Sequence, residues 1–134
     1  MKECLRCKKQ YIPRRPHHFF CTQRCSDHYN KSKSWKNYFR KLLQNGKNRK
    51  ELTVEALLRM YEKQGGRCAL SGVILTKITG KGHVPSNCSI DRIKPGAEYS
   101  VKNIRLVCHF VNSWRGAVTD KELYWWCKRI VDNG

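Results

Sequence analysis

Acidic residues are scarce in this chain. Its 134 residues include 10 Asp and Glu against 28 Lys and Arg, a formal charge of +18. That imbalance excludes a neutral housekeeping fold with no polyanionic partner. It favours nucleic acid first and an anionic membrane surface second. Long apolar runs are also missing. No stretch approaches the ~20 residues that a membrane span needs, and the start, MKECLRCKKQ, lacks the apolar centre of a signal peptide. These absences predict a cytoplasmic protein that keeps its thiols reduced, so its eight cysteines point to metal rather than to disulfides. There is no internal repeat and no low-complexity tract. A hydrophobic content of 40% allows a modest core, and the length suits one domain or one small domain with an appended module.

The positive charge is unevenly spread. Residues 1–50 carry 15 Lys and Arg against only Glu3 and Asp27, whereas residues 51–134 carry 13 against 8 acids. The first segment reads as a binding arm whose basic clustering supplies affinity for phosphate, and the second as a more ordinary folded body.

Cysteines open the chain: Cys4-x2-Cys7, thirteen residues, then Cys21-x3-Cys25. Two close pairs let two turns hold one tetrahedral ion, and four thiolates leave no open position, so the spacing predicts a structural Zn²⁺. The surrounding Lys8, Lys9, Arg14, Arg15 and Arg24 favour ionised thiols. So polar a segment has no other core, and the metal would supply its folding energy. His17, His18 and His28 are alternative fourth ligands, but they read first as exposed residues or as groups near phosphate.

Downstream, Trp35, Tyr38, Phe39, Leu42 and Leu43 fall at i, i+3, i+4, i+7 and i+8. They predict a helix over about 27–45 with Lys31, Lys33, Lys36, Arg40 and Lys41 on its other faces as DNA-contact candidates. A second helix is expected over about 53–64, capped by Thr53 and stopped by Gly65-Gly66. Short strands follow at 89–93 and 101–107, then a helix over about 108–116. Thr119-Asp120-Lys121-Glu122 is a capping box for a last helix, with Leu123, Trp126, Cys127 and Ile130 expected inward. Trp114, Tyr124, Trp125 and Trp126 read as core at this spacing, Trp125 being the best candidate for an exposed base-stacking ring. The pattern predicts an α+β fold divided as 1–30, 31–50 and 51–134.

Within the last segment Asp91 offers a hard carboxylate oxygen from a strand, and Asn112 an amide oxygen from the following helix. Two such ligands with several waters suit Mg²⁺ or Mn²⁺ shared with a phosphate. The stretch CALSG, then SIDRI, then YSVKNIRLVCHFVNSWRG resembles the HNH or ββα-metal endonuclease family over about 48 residues. In that register Asp91 matches the family Asp, Arg92 takes the place of the first His, Asn103 matches the middle Asn, and Asn112 the final His or Asn. The resemblance implies a ββα core at about 88–116 and a metal-dependent endonuclease of the phage, homing or restriction type. Its expected partner is double-stranded DNA in a bacterial or phage-infected cell, with no membrane partner and with the oligomeric state left open, a homodimer included.

Two departures from the family stand out. Its zinc knuckle is half erased, because Ser71 follows Cys68 and Val111 follows Cys108 at the knuckle spacing. Cys68, Cys108, Cys88 and Cys127 then read as small buried hydrophobes, a repaired site using some of them or a His being the other option. Arginine also cannot serve as a general base, so Arg92 reads as a phosphate clamp. The base becomes His83, His109, or water activated by metal and phosphate. Asn103 is expected to fix the loop or to orient whichever group activates the water. Two other functions share these residues: a non-catalytic zinc-containing DNA-binding protein with a decayed centre, and a ribonuclease.

Overall fold

A computed structural model describes residues 1–16, 18–32, 34–78 and 81–134, less the side chains of 30–32. It is a small α+β fold. Strands β1 (Lys2–Glu3) and β2 (Gln10–Tyr11) form one antiparallel hairpin, and helix α1 (Gln23–Ser32) follows. Helices α2 (Trp35–Asn45) and α3 (Val54–Lys63) come next. Strands β3 (Cys88–Arg92) and β4 (Ile104–Cys108) then make a second antiparallel pair, followed by α4 (His109–Arg115) and α5 (Asp120–Asn133). No helix among the described residues is long and apolar enough to cross a membrane.

The single helix expected over 27–45 is two. Ser34 adopts an extended backbone, and its hydroxyl accepts the Asn37 N–H as the N-cap of α2. The apolar stripe therefore belongs to α2 alone. Phe39 is fully buried, while Trp35 stacks with Phe39 and with Tyr61 of α3 at centroid distances of 5.3 and 4.3 Å. Tyr38 donates to the Cys88 carbonyl at 2.8 Å, fastening α2 to β3. Helix α3 starts where Thr53 caps the Ala56 N–H, and it buries Leu57 in the same core.

Register in the β3–β4 pair is set by alternation. Cys88 and Ile90 point into the core with Leu106 and Leu57, so Ser89 and Asp91 face the other side. Helix α4 covers that second face. Its Asn112 donates to Ser89 Oγ at 2.6 Å and to the Ile90 carbonyl at 3.3 Å. The helix places two backbone turns beside the strand, and so brings side chains from β3 and α4 together.

Cys68, Cys88 and Cys108 are buried, and Cys127 is half-buried. Ser71 fills the corner beside the first and third of these: its N–H lies 3.4 Å from Cys68 Sγ and its Oγ 3.7 Å from Cys108 Sγ.

The terminal helix corrects an expectation. Its capping box forms, with Thr119 and Glu122 bonding reciprocally, and Leu123 is buried. Trp126 and Ile130, expected inward, are 56% and 57% exposed, and Trp114, Tyr124 and Trp125 are also exposed. A helical stripe selects a face of α5, but no second layer covers that face among the described residues. Trp125 and Trp126 instead pack edge to face on each other, with Arg129 over Trp125.

Candidate functional site

Two groups of chemistry-bearing residues form. The first is the N-terminal cysteine quartet. Cys4 and Cys7 sit on the turn between β1 and β2, where the Lys8 N–H closes onto the Cys4 carbonyl and Lys8 takes a left-handed backbone, φ 63°. Cys21 and Cys25 lie on the entry to α1, where Thr22 Oγ1 accepts the Cys25 N–H. The four sulfurs all lie within 4.8 Å of one another, with Cys7 to Cys21 at 3.5 Å and Cys21 to Cys25 at 3.7 Å. A Zn–S bond of ~2.3 Å in tetrahedral geometry needs sulfurs ~3.8 Å apart, so the quartet can hold a metal such as zinc. Burial pushes the Cys4 thiol up, but N–H groups of Cys7, Cys21 and Arg6 outweigh it and bring Cys4 down to about 6. The Thr22 contact lowers Cys25. His18 and His28 are outside the quartet, and His17 lies outside the described residues. This is the one such cluster of Cys, His, Asp and Glu among the described residues.

The quartet gives a direct expectation. Elemental analysis should find one zinc per chain, lost in a Cys4→Ser/Cys7→Ser double variant together with the NMR dispersion of residues 1–30. Two zinc ions per chain would place a second site in the Cys68–Cys108 corner.

The second group is a cleft of about 270 Å³ on the α4 side of the β3–β4 pair. Asp91, Arg92, Asn112, Arg115, Arg49 and Tyr99 are among its walls. Asp91 is only 4% exposed and carries an ion pair on each oxygen: Arg115 Nη1 to Oδ1 at 2.7 Å and Arg105 Nε to Oδ2 at 2.9 Å. Arg105 faces Asp91 directly across the strands and grips Asp120 of α5 with its other two nitrogens at 2.6 and 2.7 Å. The Arg115 side chain, 1% exposed, also donates to the carbonyls of Arg92 and Ile93 and approaches Asp120 at 3.2 Å. Two carboxylates and two guanidiniums therefore balance in one network, buried at Asp91 and Arg115 and partly open to solvent at Asp120. Arg92 and Arg49 lie outside it and leave the cleft net positive.

Asn112 is oriented by its own hydrogen bonds. The amide nitrogen is held by Ser89 and Ile90, and its Oδ1 accepts no hydrogen bond among the described residues. Asn103 pins the loop that follows β3. Its Oδ1 accepts the Lys94 N–H at 2.9 Å, and its Nδ2 donates to the carbonyls of Glu98 and Lys94 at 3.0 and 3.3 Å. Of the two roles open to Asn103, fixing the loop is the one these bonds perform. Arg92 reaches the Ala97 carbonyl on that loop and stacks on Tyr99.

The structure thus brings Asp91, Arg92 and Asn112 together. It does not bring His83 to them. His83 stacks on His109 at the start of α4, centroids 4.9 Å apart and rings 8° from parallel, and it borders a separate cavity of about 860 Å³ between the N-terminal module and the body. No histidine lines the Asp91 cleft among the described residues. Lys36, Arg40 and Lys41 are exposed on α2, whereas Lys33 and the side chain of Lys31 lie outside the described residues. Arg105, Arg115, Asp120, Arg49 and Tyr99 were not singled out from the sequence. Comparison with protein-family models, curated proteins and solved structures returns no match for this chain.

Proposed function

We propose that this chain is a metal-dependent HNH-type endonuclease that hydrolyses phosphodiester bonds in DNA. One observation carries the proposal: a carboxylate oxygen and an amide oxygen share a small cleft with guanidinium groups, on a strand–strand–helix frame. The donor set fits a hard divalent ion. Each Asp91 oxygen accepts one arginine N–H, and a carboxylate has about four lone-pair positions, so both oxygens keep room for a cation. Asn112 Oδ1 is unengaged. Asp91 and Asn112 would hold Mg²⁺ or Mn²⁺ with waters and substrate completing the sphere. Such an ion, when held there, would supply Lewis-acid polarisation of the scissile phosphate and help to activate water.

The chain's own residues do the rest. Arg92 binds a phosphate oxygen and offsets the charge that develops in the transition state. Arg115 and Arg105 fix the Asp91 carboxylate, one on each oxygen. Asn103 holds the loop that carries Tyr99 and supports Arg92. With no imidazole on the cleft wall among the described residues, the proton of an attacking water leaves to a phosphate oxygen or to solvent. The zinc module and the exposed Lys36, Arg40 and Lys41 grip the duplex, together with Lys31 and Lys33.

A second reading, a non-catalytic zinc-containing DNA-binding protein, is favoured by one feature: two arginines already offset the charge of Asp91, one on each oxygen, which weakens its pull on a cation. Parallel digestion of duplex DNA and structured RNA by zinc-loaded protein, with and without Mg²⁺, separates the readings. The nuclease reading predicts cut DNA with 3′-hydroxyl ends only when Mg²⁺ is present. Cleavage confined to RNA would make the chain a ribonuclease, and no cleavage of either would favour the binding protein.

A further inference from the structure

Arg49 lies on the connection between α2 and α3, far in sequence from the Asp91 motif, yet it forms one wall of the cleft. Its side chain lies across Gly46 at the end of α2. A Cβ built at Gly46 would fall 2.2–2.3 Å from the Nε, Cδ and Cζ of Arg49. Nη1 donates to the Leu42 carbonyl at 2.7 Å, holding the guanidinium in place. Its Cζ is 5.1 Å from the centre of the Tyr99 ring, and the Cζ of Arg92 is 4.8 Å from the same ring. Neither arginine makes an ion pair among the described residues. Arg49 is half-buried, and its Nε is enclosed with no hydrogen-bond partner among the described residues.

Arginine does not shed its charge at any pH a protein meets, and a buried charged donor left unpaired costs free energy. Two unpaired cations beside one aromatic ring, open to one cleft, also repel each other. An anion bound between them in the cleft relieves that repulsion, while the enclosed Nε of Arg49 stays packed over Gly46. We propose that Arg49, Tyr99 and Arg92 form a second phosphate seat in the cleft, which takes a backbone phosphate next to the one at Asp91. The identity of the anion as a nucleic-acid phosphate rests on the nuclease reading above. The seat explains why glycine stands at position 46: any side chain there would push the guanidinium away. Gly46 has an extended backbone, φ −97°, so its role is spatial and not conformational.

The test measures binding of a short fluorescent duplex to zinc-loaded protein without Mg²⁺, over a range of salt. Arg49→Gln should weaken binding about tenfold and lower the slope of log affinity against log salt by ~0.9, the loss of one phosphate contact. Gly46→Ala keeps every charge but displaces Arg49, and should weaken binding to a similar degree. Adding Arg49→Gln to Gly46→Ala should then change little further. If Arg49 serves only to hold the end of α2, both variants will melt earlier while affinity and slope stay at wild-type values, which overturns the proposal. Wild-type cleavage of plasmid is scored alongside. Its absence defeats the nuclease reading without touching the salt slope, and an unchanged slope in an active enzyme defeats the seat alone.

Discussion

Asp91→Asn should abolish the proposed plasmid cleavage, lowering the rate on the order of 10³-fold or more, while duplex binding should hold or tighten. Asp91 is the only carboxylate on the cleft wall among the described residues, so its loss removes the one charged oxygen donor for a divalent ion. It also removes the one negative charge that opposes an incoming phosphate, hence the unweakened binding. Asparagine is the right replacement because Asp91 is buried between Arg105 and Arg115. Alanine would leave two guanidiniums sharing the single carboxylate of Asp120 and confuse lost chemistry with lost fold. Asparagine keeps the shape and one acceptor oxygen. Single-turnover cleavage and a thermal melt on the same preparation check the prediction. A rate near wild type would remove Asp91 from the chemistry.

Arg115→Met destabilises the chain by ~3–5 kcal/mol in urea unfolding, the usual cost of breaking a buried ion pair from one side. The guanidinium is almost fully enclosed and serves Asp91, Asp120 and the carbonyls of Arg92 and Ile93. Methionine fills much of the volume but satisfies none of these acceptors. A domain has only ~5–15 kcal/mol in total, so the variant sits near the edge of folding. A loss below ~1 kcal/mol would mean that water substitutes for the guanidinium and that the network does not hold α4 to β3. Acid should erode the same network. Hydrogen bonds from Arg105 lower the Asp120 carboxyl below its ordinary range, against a smaller opposing effect of burial. A depressed folded-state pKa adds stability that is complete above the unfolded value of ~3.9. That stability is lost as pH falls through the lower folded value, so it should persist through mild acid and decline only below pH ~4.

What the sequence could and could not reveal follows from the range of each interaction. The cysteine quartet is legible because two short spacings place two thiols each, and only one further closure is needed. Much of the strand–strand–helix frame is legible from short β-branched runs bounded by turn residues: strands expected at 89–93 and 101–107 appear as Cys88–Arg92 and Ile104–Cys108, but the start of the second, Val101–Asn103, is a turn of 3-10 helix. The break at Ser34 is hidden because the apolar stripe carries no mark of where the helix begins. Trp126 and Ile130 were misplaced because periodicity names a face without saying whether anything covers it.

The arginines are the larger omission. Arg105 reads as one more basic residue until strand register puts it opposite Asp91. Arg115 reads as an ordinary helix end, and Asp120 as part of a capping box. Their meaning lies in contacts between elements, and local pattern does not carry those. Arg49 had one local signal, the glycine three residues before it, but nothing short of the fold brings either near Tyr99.

The most direct measurement is relaxation of supercoiled plasmid by purified, zinc-loaded protein as Mg²⁺ is withheld and then restored, with Asp91→Asn run beside it. The proposed chemistry predicts nicked or linear DNA with 3′-hydroxyl ends from the wild type once Mg²⁺ is present, and intact plasmid in every other lane. Plasmid that stays supercoiled across the whole Mg²⁺ range, while the protein remains bound to it, would contradict a nuclease centre at Asp91.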